Sequence, residues 1–228
     1  MAGPWRRPPT RPRRGLPPDG FYHTTQVALV AIAYNTKLVK PEDAPKNWSD
    51  LLDPKWKNQV SVSHPGFSGR VGNWVVAMRK LYGWAYFEKL EKNKPQIGRS
   101  IVDTVTMLNA GERMVSASSV NSVRPSIARG NPLAIVYPTD GALLMEDPSA
   151  ILANTKNPNA AKLFMEFLLG VEKSRIAVAA ASETMRPEVE LPADQPRIGE
   201  VKTFKLPLQE VVDGIPEVTE TCRDLSGV

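Results

Sequence analysis

The chain has 228 residues, a net charge of +5, two histidines and one cysteine. That length suits one large or two small domains. The lone Cys222 excludes an intrachain disulfide, and His23 with His64 argues against a zinc site built on several imidazoles.

The charge is concentrated in residues 1–20, where Arg6, Arg7, Arg11, Arg13 and Arg14 face Asp19 alone. The remainder is nearly neutral and offers no basic stripe for nucleic acid. The leader is rich in Pro and Arg and lacks apolar periodicity, so disorder is expected there. No apolar core follows its arginines, so it does not read as a secretory signal; a segment foreign to the fold or a misassigned start is the expectation. No stretch is long and apolar enough to span a membrane.

Thr25 to Tyr34 is short, apolar and flanked by polar residues, which predicts a buried strand. A loop follows at Pro41 to Pro45, then one helical turn at Asn47 to Leu52 that Asp53-Pro54 breaks. Gln59 to Ser63 is the next strand. From Arg70 to Glu91 the residues Trp74, Val75, Met78, Leu81, Tyr82, Ala85 and Tyr86 recur at helical spacing, and Gly83 is placed to split the run. Ser100 with Asp103 three residues on forms a capping-box-like start to another helix, which Gly111 stops.

Met114 to Val120 predicts a strand, Ser126 to Arg129 a short helix, and Leu133 to Tyr137 a strand closed by Pro138. Asn157-Pro158 opens the clearest helix, with Ala161, Leu163, Phe164, Phe167 and Leu168 as its buried face and Gly170 as its end. Glu172 to Ala181 predicts one more. Beyond Arg186 the chain reads as irregular, with a short helix at Leu208 to Asp213. Strands alternating with helices give an α/β fold.

The join at Val60 to Gly72 is the most informative segment. A strand ends in a Gly-punctuated turn and a long helix starts at once, so Ser68 and Gly69 sit where unpaired amides and the positive end of the helix dipole would meet an anion. Ser68 as a plain N-cap is the alternative. The spacing of Gly66, Gly69 and Gly72 matches neither a dinucleotide fingerprint nor a Walker loop. Arg70 stands where a nucleophile elbow needs its second glycine.

Five stretches together carry a resemblance: Ala33-Tyr34-Asn35-Thr36-Lys37, Trp48 to Lys57, the Ser68-Gly69 turn with Leu81-Tyr82-Gly83-Trp84, Val136 to Gly141, and Ala150 to Gly170. As a set, this resembles the C-terminal two-thirds of a type II periplasmic solute-binding protein, in the branch of ferric-ion and thiamine binders. The resemblance implies two α/β lobes joined by crossing strands, with the solute trapped between them on closure. Residues 47–134 would form the second lobe. Residues 21–46 and 135–228 would form what remains of the first, whose opening strands and signal peptide have no counterpart here. A truncated product or a misassigned start is therefore expected.

The resemblance further implies an exported, periplasmic, monomeric receptor that hands a small solute to the ABC permease of the inner membrane. The near-neutral fold argues against nucleic acid, the lack of a Ser-x-x-Lys pair and the failed nucleophile elbow argue against catalysis, and no cofactor is expected. The family's anion-binding turn falls on Ser68, Gly69 and Arg70, and further contacts fall on Ser100 and Ser119. Asn121 would orient the solute, and His64 either lines the cleft or caps the turn. The paired tyrosines of the ferric binders are missing: Gly111-Glu112 leads to Val120-Asn121-Ser122-Val123, which suits hydrogen bonds to an organic or phosphorylated solute better than Fe³⁺. A ferric-ion carrier using a partner anion and a ligand-sensing domain of a regulator are the alternatives.

Overall fold

The computed structural model describes residues 22–227, so the expectation for the leader lies outside the described residues. Strand β1 (Tyr22–Asn35) changes character along its length. Its first residues alternate between half-buried and buried, and from Val27 onward every residue is buried, as in a strand covered on both faces. It pairs antiparallel with β4 (Val115–Ser119), Val30 opposite Ser119, and with β5 (Leu133–Val136).

Strand β2 (Val60–Ser63) lies parallel to β4 and to the short β3 (Gln96–Gly98). With β6 (Ala142–Ala150) and β7 (Thr203–Phe204), the sheet runs in the order β3-β2-β4-β1-β6-β7, and β5 pairs β1. The expected α/β class is therefore what the chain adopts.

Helix α1 (Gly69–Tyr82) follows β2, and Gly83 at φ 72° turns the chain into α2 (Ala85–Lys92). An L side chain resists that left-handed backbone, so glycine splits the run as predicted. Helix α3 (Asp103–Ala110) follows β3, and α4 (Val120–Ala128) follows β4 directly. The three parallel strands thus end at one edge of the sheet, and α1, α3 and α4 begin there. Two apolar clusters run along one face of β1. Leu29 and Ala31 pack with Val120 and Ala142, and Ala33 packs with Val105, Leu108, Val123 and Leu133.

Helix α4 starts six residues earlier than the pattern at Ser126 predicts. Pro125 conceals this: it lacks an amide, yet the turn before it is held by Val120 and Val123 in the core. Strand β6 also escapes the sequence pattern, because Glu146, Asp147 and Pro148 resemble a surface loop.

The last helix, α7 (Leu208–Ser226), is 19 residues long and passes straight through Gly214 and Pro216, well beyond the Asp213 at which the sequence reading ends it. Packing explains the difference. A Cβ at Gly214 would lie 2.9 Å from Val76 of α1, and one at Gly72 would lie 3.0 Å from Ile215 of α7. The two helices approach through their glycines, and an Arg79–Glu217 pair and Lys80–Glu210 at 2.6 Å flank the contact.

By its contacts the chain divides into two compact units. Among the described residues, one comprises 29–145 and 197–227 and the other 22–28 and 146–196. These bounds differ from the lobes drawn on the sequence, most clearly in placing α7 with α1.

In the second unit, helices α5 (Pro158–Leu168) and α6 (Val171–Ala179) follow β6. The predicted buried face of α5 is not buried. Leu163 is 73% exposed, Phe164 59% and Phe167 41%, Ala161 and Leu168 are half-buried, and Met165 alone on this helix is buried. Amphipathic spacing marks a face that can be covered; it does not supply the element that covers it.

Candidate functional site

The turn between β2 and α1 is built by Pro65–Phe67, one 3-10 turn. The His64 Nδ1 accepts the Gly66 amide at 3.1 Å and closes that turn. Ser68 then adopts an extended backbone at φ −155°, and α1 begins at Gly69. The Gly72 amide bonds the Ser68 carbonyl at 3.0 Å. The first-turn amides of Gly69 and Val71 meet no acceptor among the described residues, and the Ser68 hydroxyl caps neither. A Cβ placed on Gly69 would meet nothing within 4 Å, so this backbone is open to approach. A helix of 14 residues places its partial positive charge at that point.

Beside it stands the end of β4. Ser119 is the N-cap of α4, yet its side chain makes no capping bond, and its Oγ is buried without a partner among the described residues. A hydroxyl in that state is costly unless something supplies a hydrogen bond. Its cross-strand neighbour Val30 lines a small recess with Ser63, Arg70, Val71, Trp74, Ile101 and Ala117. The recess measures about 10 Å³, room for one water at most. The Trp74 indole N–H is a further buried donor with no acceptor among the described residues.

The sequence-derived residues divide into two sets. Ser68, Gly69, Arg70 and Ser119 fall at this edge, and Asn121 lies in the first turn of α4. Ser100 and His64 are differently engaged. The Ser100 amide donates to the Asp103 carboxylate at 3.0 Å and its hydroxyl donates to the same group at 2.7 Å. His64 lines a separate, mostly apolar cavity of about 50 Å³ with Trp74, Phe87, Leu90, Cys222 and Leu225. Burial, assisted by the nearby Arg223, lowers its pKa and favours the neutral imidazole. Burial likewise pushes the Cys222 thiol up to about 11, away from thiolate chemistry.

Sequence reasoning missed Ser63 and Trp74 as site residues. Ser63 was legible as the last residue of the strand before the turn. Trp74 is indistinguishable by spacing from the core residues around it.

The donors at this edge are amides, hydroxyls and one indole, which suit an oxyanion. Hard-cation chemistry would need carboxylates or phenolates, and the tyrosines lie elsewhere. Tyr86 is buried and bonds the Trp48 carbonyl at 2.9 Å, and Tyr82 is tied to Asp140. Burial raises both phenols, Tyr82 also through that bond, which keeps them protonated.

Residues 7–213 match a family model described as bacterial extracellular solute-binding protein. A Salmonella typhimurium protein named as a 2-aminoethylphosphonate-binding periplasmic protein is 25% identical over 191 residues, covering 78% of this chain and 55% of that protein. The major ferric iron-binding protein of Neisseria meningitidis is 27% identical over 162 residues, covering 67% and 48%. The chain thus spans about half the length of the curated relatives it matches. Among solved structures, the periplasmic binding protein AfuA of Actinobacillus pleuropneumoniae, crystallised with fructose-6-phosphate, superposes with a TM-score of 0.79. It is 22% identical, covering 92% of this chain and 70% of that one. The fold is that of the two-lobed, type II periplasmic binding proteins.

Proposed function

The chain belongs to the bacterial extracellular solute-binding proteins, and from that premise we propose that it is a receptor whose α1 N-terminus holds the anionic head of a small solute. The observation that carries the reading is the pair of acceptor-less amides at Gly69 and Val71 above an open backbone, beside the buried, unpartnered Ser119 Oγ. These groups donate to a phosphonate, phosphate or carboxylate without carrying a full charge, so they bind and release it reversibly. Arg70 supplies the cationic side chain of the recess. The relatives named for 2-aminoethylphosphonate, and the neighbour crystallised with a sugar phosphate, support a phosphorus-containing head. The ferric iron-binding relative supports a ferric reading by similarity alone, and the segment after β4 weighs against it by carrying Asn121 and Ser122 in place of phenolates.

In this reading the protein acts in the periplasm as a monomer and delivers its solute to an ABC permease, with no role for nucleic acid and no catalysis. Its relatives and structural neighbours are binding proteins, which supports the last point.

Gly69→Pro tests the site with little disturbance. Proline is well tolerated at the first helical position, Ser68 already has the extended backbone that precedes proline, and the substitution deletes one donor amide. Titration calorimetry with 2-aminoethylphosphonate and inorganic phosphate is expected to show binding by the unmodified chain. It should fall roughly tenfold or more in Gly69→Pro at unchanged Tm. Equal affinity in the two proteins would remove α1 from the site.

A further inference from the structure

Three helices begin at the same edge of the sheet, but one of them already holds an anion of the protein's own. At the start of α3, the Asp103 Oδ2 accepts the Arg99 amide at 2.7 Å and the Ser100 amide at 3.0 Å. Its Oδ1 accepts the Ser100 hydroxyl at 2.7 Å, and the Asp103 amide returns a bond to the Ser100 Oγ at 3.3 Å. These bonds, led by the Ser100 hydroxyl, hold its carboxyl below the usual carboxylate range. Gly98 makes room for the arrangement, since a Cβ there would lie 2.8 Å from the Asp103 Cβ. The carboxylate is coupled to the recess through Ser63, whose hydroxyl bonds the Ser100 carbonyl at 2.8 Å, and through Ile101; both residues line the recess.

Building on the proposed anion site at α1, we propose that Asp103 is a specificity-determining residue that fixes the charge of the accepted solute. Its carboxylate takes up the Arg99 and Ser100 amides of the turn that leads into α3, so the edge takes one anionic head at α1 and repels a second negative group. A solute with a single anionic head and a neutral or cationic remainder fits. One with two anionic ends meets a like charge where it would otherwise meet free amides.

The test compares 2-aminoethylphosphonate, whose far end is cationic, with phosphonoacetate, whose far end is anionic, by titration calorimetry at pH 8. The unmodified chain is expected to prefer the former by about tenfold or more. Asp103→Asn and Asp103→Ser both keep a side-chain acceptor for the Arg99 and Ser100 amides while removing the charge, and each should bring the two affinities to within about threefold. A capping role alone would lower Tm and leave the ratio untouched, so an unchanged ratio in both variants overturns the proposal. So does an unmodified chain that binds the two probes equally. If Gly69→Pro weakens binding while the ratio stays fixed, the anion site stands and only the role of Asp103 fails. If no protein binds either phosphonate, both readings fall together.

Discussion

Trp48 and Phe164 are both large aromatic residues in helical turns, yet one is fully enclosed and the other 59% exposed. Trp48 donates its indole N–H to the Gly141 carbonyl at 2.9 Å and meets Trp74 edge-on at 5.8 Å. Phe164 stacks on Phe167 at 6.2 Å, its own neighbour one turn away. The contrast extends to whole regions. Residues 29–145 and 197–227 surround the sheet with α1, α3, α4 and α7, which bury Leu, Val and Trp side chains from segments far apart in sequence. Residues 146–196 leave Leu152, Leu163, Phe164, Phe167, Ile176 and Met185 exposed. Helix α5 carries an amphipathic pattern as clear as that of α7, so the difference between these two lies in what each packs against. An apolar surface of the latter kind is a contact surface or an aggregation liability.

The largest effect that would break this contrast is at Trp48. Trp48→Ala should cost about 3–5 kcal/mol in urea denaturation, because it leaves a cavity and orphans the Gly141 carbonyl. Phe164→Ser should change stability by less than about 0.5 kcal/mol while lowering the fluorescence of a bound apolar dye. A loss at Phe164 as large as that at Trp48 would mean that the face is covered in solution.

A step smaller is the helix contact. Gly214→Val should cost about 1–3 kcal/mol, because the added methyls meet Val76 where 2.9 Å is already too close for a Cβ. Little change would show that α7 is held less closely to α1 than the two glycines indicate.

Ser119→Ala separates folding from binding within the packed region. Removing a buried hydroxyl with no partner should leave stability within about 0.5 kcal/mol or raise it, while anion affinity falls several-fold. A clear loss of stability would give that hydroxyl a structural role.

The smallest effect is at His64. Burial and Arg223 depress its folded pKa below the unfolded value near 6.5. The unfolded chain then binds the proton first, so this contribution is whole above about pH 6.5 and is lost as pH falls towards the folded pKa. His64→Gln should flatten Tm by about 1–3 °C over that window, and an identical slope in both proteins would contradict the assignment.

Elements whose signals are local were legible in the sequence. The strand ending at Tyr34, the Gly83 break, the pairing of Ser100 with Asp103 and the start of α1 each depend on residues within a few positions. The misses all depend on distant partners. Gly214 and Pro216 look like a helix end until Val76 and Ile215 show why α7 passes through them. Pro125 hides the first turns of α4, and the exposed face of α5 reads as core because periodicity carries no information about its cover. The site follows the same rule. Ser68 and Gly69 could be read from the strand–turn–helix join. The engagement of His64 in a second cavity could be seen only once the strands were aligned.

The most direct test of the α1 anion site is the backbone amide spectrum of isotope-labelled protein titrated with 2-aminoethylphosphonate and with inorganic phosphate. The Gly69 and Val71 amide protons should move downfield and saturate, since a new acceptor lengthens the N–H bond, while amides in α5 and α6 stay in place. Saturable shifts elsewhere with residues 68–71 unmoved would contradict the site, and no shifts at all with either anion would contradict the receptor reading itself.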